Sequence, residues 1–138
     1  MDSNDLEENK MIAKAFFVEL INEHKYDRIP KIFTEDAEIL PRGLRGYAGV
    51  EKWLRSFHDI FPDCRDTITG QWAERNQVVT RIRFEGTHKG EWMGFAPSGE
   101  HLSWEGVAVH TIRDGKIAKK ETVIEQTHVF QKLGWLTP

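Results

Sequence analysis

The sequence predicts an α+β fold in which three N-terminal helices pack on one face of a strongly curved antiparallel sheet. Three observations carry this expectation. Met11, Ile12, Ala15, Phe16 and Leu20 recur at helical spacing near the start of the chain. From Cys64 onward the apolar period becomes two. Late in the chain, Asp114-Gly115 joins two alternating apolar runs, a strong short-range hairpin signal. Helices segregated ahead of a meander, with the sheet bent around them, enclose an interior.

The first helix is expected between about Glu7 and Glu23, where Phe17 and Ile21 widen the apolar stripe. Asp27 can cap a short second helix that tolerates Pro30 in its first turn and turns Ile29, Ile32 and Phe33 inward. Residues 35–40 read as a short strand. Pro41, Gly43 and Gly46 mark a loop, after which Val50, Trp53, Leu54 and Phe57 fall at i, i+3, i+4 and i+7 of a third, amphipathic helix that Pro62 ends. Strands follow over residues 67–73, 77–85, 101–112 and 117–125, with Glu74-Arg75-Asn76 a tight turn and the glycine-rich stretch 86–100 at a mouth or edge. One domain over 1–138 is expected, with residues 1–6 as a flexible tail.

A 138-residue chain can bury roughly two thirds of its unfolded surface around one core. Five Trp among 15 aromatic residues supply flat apolar surface suited to a core or a hydrophobic pocket. A net charge of −3, with both signs interspersed, gives no basic stripe for nucleic acid. No apolar run approaches the ~20 residues needed to span a bilayer, and the polar start lacks a secretory layout, so a cytoplasmic protein without a membrane partner is expected. Cys64 is alone and reads as an inert small residue. The six His show no paired-ligand spacing, so no metal site is expected.

The final hairpin holds the candidate chemistry. With Ile112 opposite Ile117, facing residue numbers sum to 229, which pairs His110 with Lys119, Ala108 with Glu121 and Trp104 with Glu125. One sheet face then carries Trp104, His110, Glu121 and Glu125, a mixture of apolar and ionisable groups that suits a pocket and equally suits a wetted outer face. Glu121 and Glu125 would lie roughly 13 Å apart along the strand, too far for a retaining-glycosidase pair. His110 would sit diagonal to Glu121 as a proton shuttle or as a solvent-edge ion pair. Arg81 and Arg83 alternate with apolar residues on a strand of unfixed register.

Gly-Tyr-Ala-Gly-Val at 46–50, Phe61-Pro62-Asp63, Gly-Thr-His-Lys-Gly-Glu at 86–91, Pro97-Ser98-Gly99, Asp-Gly-Lys-Ile at 114–117 and Gln-Lys-Leu-Gly at 131–134 stand in the order and spacing of a known family. Over about residues 8 to 134 the chain resembles the SnoaL-like polyketide cyclase (ester cyclase) family of the nuclear-transport-factor-2-like superfamily. The resemblance implies a cone-shaped α+β barrel, often a homodimer, around a hydrophobic pocket, with aldol ring closure that uses neither metal nor cofactor. It also implies an acid/base Asp on the last strand, nine residues before the glycine of the Leu-Gly ending, where this chain departs with Glu125, a carboxylate one methylene longer; the aromatic common four residues earlier is replaced by Glu121.

The combined expectation is a cofactor-independent enzyme acting by acid/base chemistry on a small hydrophobic carbonyl compound. Glu125 would be the base, its pKa raised by apolar neighbours, and His110 and Glu121 its auxiliaries. Trp104, His88, Trp92, Phe16, Trp53 and Phe57 are the candidate substrate-binding residues, with core packing the alternative for the helix aromatics and loop anchoring the alternative for His88. A non-catalytic ligand-binding or dimerisation module of the same fold is the rival reading.

Overall fold

The computed structural model describes residues 3–40 and 42–136. Helix α1 (Ser3–Ala15) runs directly into a π-helical segment, Phe16–Asn22. Residues 3–6, expected in a tail, form its first turn, whereas the first two residues of that expected tail lie outside the described residues. The wide i→i+5 turns of the π segment let Phe16, Phe17, Leu20 and Ile21 all point inward. A 3-10 turn (Tyr26–Arg28) leads into the short α2 (Ile29–Ile32), with Pro30 in the first turn, where its missing N–H costs nothing. Strands β1 (Phe33–Leu40) and β2 (Leu44–Arg45) precede α3 (Gly46–Ile60), whose buried stripe is Val50, Leu54 and His58.

The remaining strands are β3 (Arg65–Glu74), β4 (Gln77–Thr87), β5 (His101–Arg113) and β6 (Lys116–Glu125), and a short α4 (Thr127–Lys132) closes the chain. The order β2-β1-β6-β5-β4-β3 makes one curled, unclosed sheet. The β3 to β6 meander is antiparallel as expected, but β1 adds to it in parallel, against β6. Gly134, with φ of 78°, ends α4 by letting Trp135 N–H return to the Phe130 carbonyl, so the Leu-Gly ending is a helix stop. Among the described residues no helix is long and apolar enough to cross a membrane.

The expected register of the last hairpin holds at its tip and fails one pair later. Asp114 and Gly115 both take positive φ, as a two-residue hairpin turn of this kind requires, and Ile112 does face Ile117. Thr111, however, faces Lys119, so Ala118 is an unpaired extra residue in β6. Beyond this bulge His110 faces Lys120, Ala108 faces Thr122, Gly106 faces Ile124, Val109 faces Glu121 and Glu105 faces Glu125. Because strand side chains alternate, the one-residue slip exchanges the two faces of β6.

The core gathers on the concave side. Phe84 and Trp104, partners across β4 and β5, stack at 3.9 Å, and Phe61 meets both edge-on at 5.1 and 5.5 Å. Truncating Phe84, which is fully buried, should cost about 3–5 kcal/mol by urea denaturation. A cost below about 1 kcal/mol for Phe84→Ala would show that this stack is not the packed centre of the domain.

Candidate functional site

Rows of facing residues across the sheet build the floor of a cavity. Asp66 on β3 faces Phe84, which faces Trp104; Ile82 faces Gly106, which faces Ile124; Thr80 faces Ala108, which faces Thr122; Val78 faces His110, which faces Lys120. Phe16, Phe17 and Ile21 from the π segment and Trp53 and Phe57 from α3 form the roof. The cavity volume is about 50 Å³, room for a few atoms beyond one water by the ~10–15 Å³ that a single water needs. Trp53, Phe57 and Ile124 retain exposure and mark the open side.

Two ionisable side chains line this otherwise apolar and hydroxylic space, Asp66 and Lys120. Asp66 is fixed through its backbone: its N–H donates to Asn22 Oδ1 at 2.8 Å, and Asn22 Nδ2 donates to its carbonyl at 2.9 Å. Its carboxyl Oδ1 is buried and accepts no hydrogen bond from a described residue. Burial pushes its pKa up to about 7, against a smaller opposing pull from the Lys120 ammonium. Lys120 is 4% exposed and donates to Thr122 Oγ1 at 2.5 Å. Its nitrogen lies 4.5 Å above the Trp53 ring and 5.3 Å from the Phe16 ring. Burial brings its pKa down to about 8, partly offset by Asp66 and reinforced by Arg42. The two charges share one cavity without an ion pair within 4.0 Å, which leaves space between them.

Of the residues singled out from sequence, Trp104, Phe16, Trp53 and Phe57 line the cavity. His110 points inward and is fully buried between the Phe16 and Phe17 rings, at centroid distances of 5.2 and 5.6 Å. Neither of its ring nitrogens has a partner among the described residues, and burial together with the neighbouring Lys120 charge lowers its pKa to about 3. It is a neutral imidazole behind the cavity wall and outside the cavity lining. The bulge at Ala118 turns Glu121 and Glu125 to the other face: Glu121 pairs with Lys119 at 2.8 Å, and Glu125, its side chain 69% exposed, accepts from Thr127 N–H at 2.9 Å. The diagonal His110–Glu121 pair expected from sequence is therefore replaced by His110 facing Lys120.

His88 and Trp92 lie elsewhere. His88 Nδ1 accepts from Ser98 N–H at 3.1 Å, and Trp92 packs against Trp104, Phe130 and Trp135, so the 88–100 connection plugs the end of the core beside α4. Gly90 permits this closure, since a Cβ there would meet the Asp59 carbonyl at 2.3 Å. The side chains of His24, His58 and Cys64 converge within 4.8 Å, but His58 and Cys64 are already committed to other partners. His58 engages Tyr26 Oη through Nδ1 at 2.5 Å and the Ile21 carbonyl through Nε2 at 2.9 Å. His24 stacks flat on His58 at 3.6 Å, and burial pushes the Cys64 thiol up to about 12. This cluster ties α3 to the π segment and presents no open set of metal ligands.

Asp66 and Lys120 are the two residues that sequence reasoning missed. Asp66 sits just before the expected strand, where an Asp reads as a turn residue, yet it shares period two with Ile68. Lys120 is the one charge in the stripe Lys120, Thr122, Ile124, a signal hidden by the assumed register.

A curled sheet and helices around an aromatic cavity that contains one carboxyl and one amine define an α+β domain with the concave, mostly apolar lining common among ligand sites. The sequence model of the SnoaL-like polyketide cyclase family matches residues 11–133, and the chain belongs to that family. No curated protein sequence gives a match. Among solved structures, AclR from Streptomyces galilaeus, described as a proposed hydroxylase, is 26% identical with a TM-score of 0.82 over 96% of this chain and 85% of its own. TsrD from Streptomyces laurentii is 20% identical with a TM-score of 0.85 over 99% of both chains. A SnoaL-like polyketide cyclase from Agrobacterium tumefaciens is 18% identical with a TM-score of 0.80 over 91% of this chain and 98% of its own. The last two establish likeness of fold.

The perturbed groups give stability a pH signature. The Asp66 carboxyl keeps its proton to about pH 7 when folded but ionises near 3.8 in the unfolded chain, so between those values the folded state binds more protons and stability falls as pH rises. His110 acts oppositely: it stays neutral to about pH 3 when folded against 6.5 unfolded, and stability from that source rises with pH. Asp66→Asn removes only the first contribution. Its urea midpoint should therefore climb relative to the unaltered protein between about pH 4 and pH 7. A difference independent of pH would mean that Asp66 titrates like a solvated carboxyl.

Proposed function

We propose that the protein is an enzyme that moves a proton at the carbon next to a carbonyl, with Asp66 as the acid/base group and a small hydrophobic ketone or aldehyde, or the carbonyl-bearing end of a longer compound, as substrate. One observation carries this reading: a buried carboxyl with an unpartnered oxygen and a near-neutral pKa faces an aromatic cavity. Removing an α proton needs a base matched to the working pH and a donor for the oxygen that becomes negative. Asp66 supplies the first. The Lys120 ammonium and the Thr122 hydroxyl, on the opposite side of the same cavity, supply the second. The carbonyl oxygen lies toward Lys120, the α carbon toward Asp66, and the apolar remainder against Phe16, Trp53, Phe57 and Trp104.

An enolate held this way can add to a second carbonyl, as in aldol ring closure, or be reprotonated elsewhere, as in an isomerisation. Membership of a cyclase family supports the first outcome. Neither outcome asks for a cofactor. The acid/base role sought at Glu125 moves to Asp66 because Glu125 accepts a backbone hydrogen bond on the opposite sheet face. Were the domain a non-catalytic binding module instead, the cavity carboxyl would have no reason to be held away from its backbone and side-chain neighbours.

Exchange of the α protons of butanone for deuterium, followed by NMR, measures the proposed step directly. Asp66→Asn should lower the protein-catalysed exchange by about 10²–10⁴, while Glu125→Gln should leave it within about twofold. The opposite pattern would return the role to Glu125.

A further inference from the structure

We propose that Lys120 is a nucleophile that joins covalently to its substrate, condensing with the carbonyl carbon of a small ketone or aldehyde to give an imine. The inference deepens the acid/base reading above and rests on it for the identity of the carbonyl substrate, while it replaces the Lys120 ammonium as oxygen donor by the neutral Lys120 amine as nucleophile. Its starting point is a contrast among the lysines. Lys10, Lys25, Lys119 and Lys132 stand at the surface in ion pairs with Glu7, Glu23, Glu121 and Glu100. Lys120 is buried, lines the cavity, and meets a hydroxyl and two aromatic faces in place of a carboxylate.

Each feature of that setting serves imine chemistry. A buried amine without an ion-pair partner gives up its proton more readily than a solvated one, and the direction of the Lys120 pKa agrees. The apolar walls from Phe16, Trp53 and Ala108 leave little room for bulk water to reverse the condensation. The faces of Trp53 and Phe16, which now stand over an ammonium, would stabilise the positive nitrogen of an iminium in the same place. A dehydration also needs a proton source, and Asp66 is the other ionisable residue lining the cavity.

The step balances with these two residues alone. The lone pair of the neutral Lys120 amine attacks the carbonyl carbon, and the C=O π electrons move to oxygen, which takes up the proton shed by nitrogen. The resulting carbinolamine loses its hydroxyl as water when protonated Asp66 donates to it, leaving a C=N bond with positive nitrogen and an Asp66 carboxylate. That carboxylate then removes the α proton, and the C–H electron pair becomes the C=C of an enamine as nitrogen returns to neutrality. No oxidant, reductant or co-reactant is consumed. The iminium is the electron sink that makes the α proton removable by a carboxylate.

The test uses the unaltered protein with butanone and sodium cyanoborohydride at neutral pH, followed by peptide mass analysis, with butanone binding followed in parallel through the indole N–H signal of Trp53. A butyl adduct at Lys120 forming at least about tenfold faster than at the exposed lysines, and lost at that site in Lys120→Met, is the expected result. An adduct spread evenly over surface lysines overturns the proposal. Butanone that shifts the Trp53 signal and exchanges its α protons without a Lys120 adduct overturns the covalent step and leaves the Asp66 reading standing. No shift, no exchange and no adduct overturns both. Lys120→Arg, which keeps a positive charge in the cavity but has no usable nucleophile, should retain the fold by circular dichroism and give no adduct.

Discussion

Everything distinctive about this molecule depends on one unpaired residue, Ala118, in the last strand. A strand presents alternate side chains to opposite faces, so one inserted residue reverses the assignment of all that follow. With the bulge, Lys120, Thr122 and Ile124 enter the concave face, and Glu121, Val123 and Glu125 leave it. Without it, Lys119, Glu121 and Glu125 would be driven together into an aromatic core. The bulge sits two residue pairs beyond the hairpin tip and so costs little of the ladder, which resumes at Thr111 and Lys119.

The concave face that results holds charge where the rest of the core is apolar. Placing an amine and a carboxyl in such a space without a direct ion pair opposes folding, because desolvation penalises each charged form. The surrounding structure carries this cost through the Phe84, Trp104, Phe61 and Trp92 packing at one end and the Phe16 and Phe17 layer at the other. Asn22 is central to the compromise. Its two hydrogen bonds to the Asp66 backbone fix where the carboxyl points while leaving its oxygens uncommitted. The π segment supplies Asn22 and the Ile21 carbonyl at the point where β3 and α3 approach, as π turns at functional sites commonly do.

His110 belongs to the same arrangement without joining the cavity. A fully buried imidazole with no partner for either nitrogen among the described residues is an expensive residue to keep. It stands beside Lys120 across the strand pair, and a neutral ring there fills the space between Phe16, Phe17 and the lysine stem without adding a second positive charge. The glycine-rich connection and α4 act at the far end, where His88 is held by Ser98 and the tryptophans interlock, so that the cavity opens on the side of Trp53, Phe57 and Ile124.

The sequence by itself determined the architecture. Helical spacing at Val50, Trp53, Leu54 and Phe57, the Asp-Gly turn and the segregation of helices from strands are local signals, and local physics decides them. The family motifs were legible for the same reason, since the Leu-Gly ending is a helix stop and Gly90 is a steric requirement. The parallel docking of β1 against β6 and the bulge were decided only in three dimensions, because both answer to how the whole sheet curls over the helices. Four aromatic residues of the site could be named from the chain alone, since large apolar side chains face inward under almost any register. Its two ionisable residues could not, because which of Lys119, Lys120, Glu121 and Glu125 meets the cavity turns on a single residue of register that no local pattern encodes.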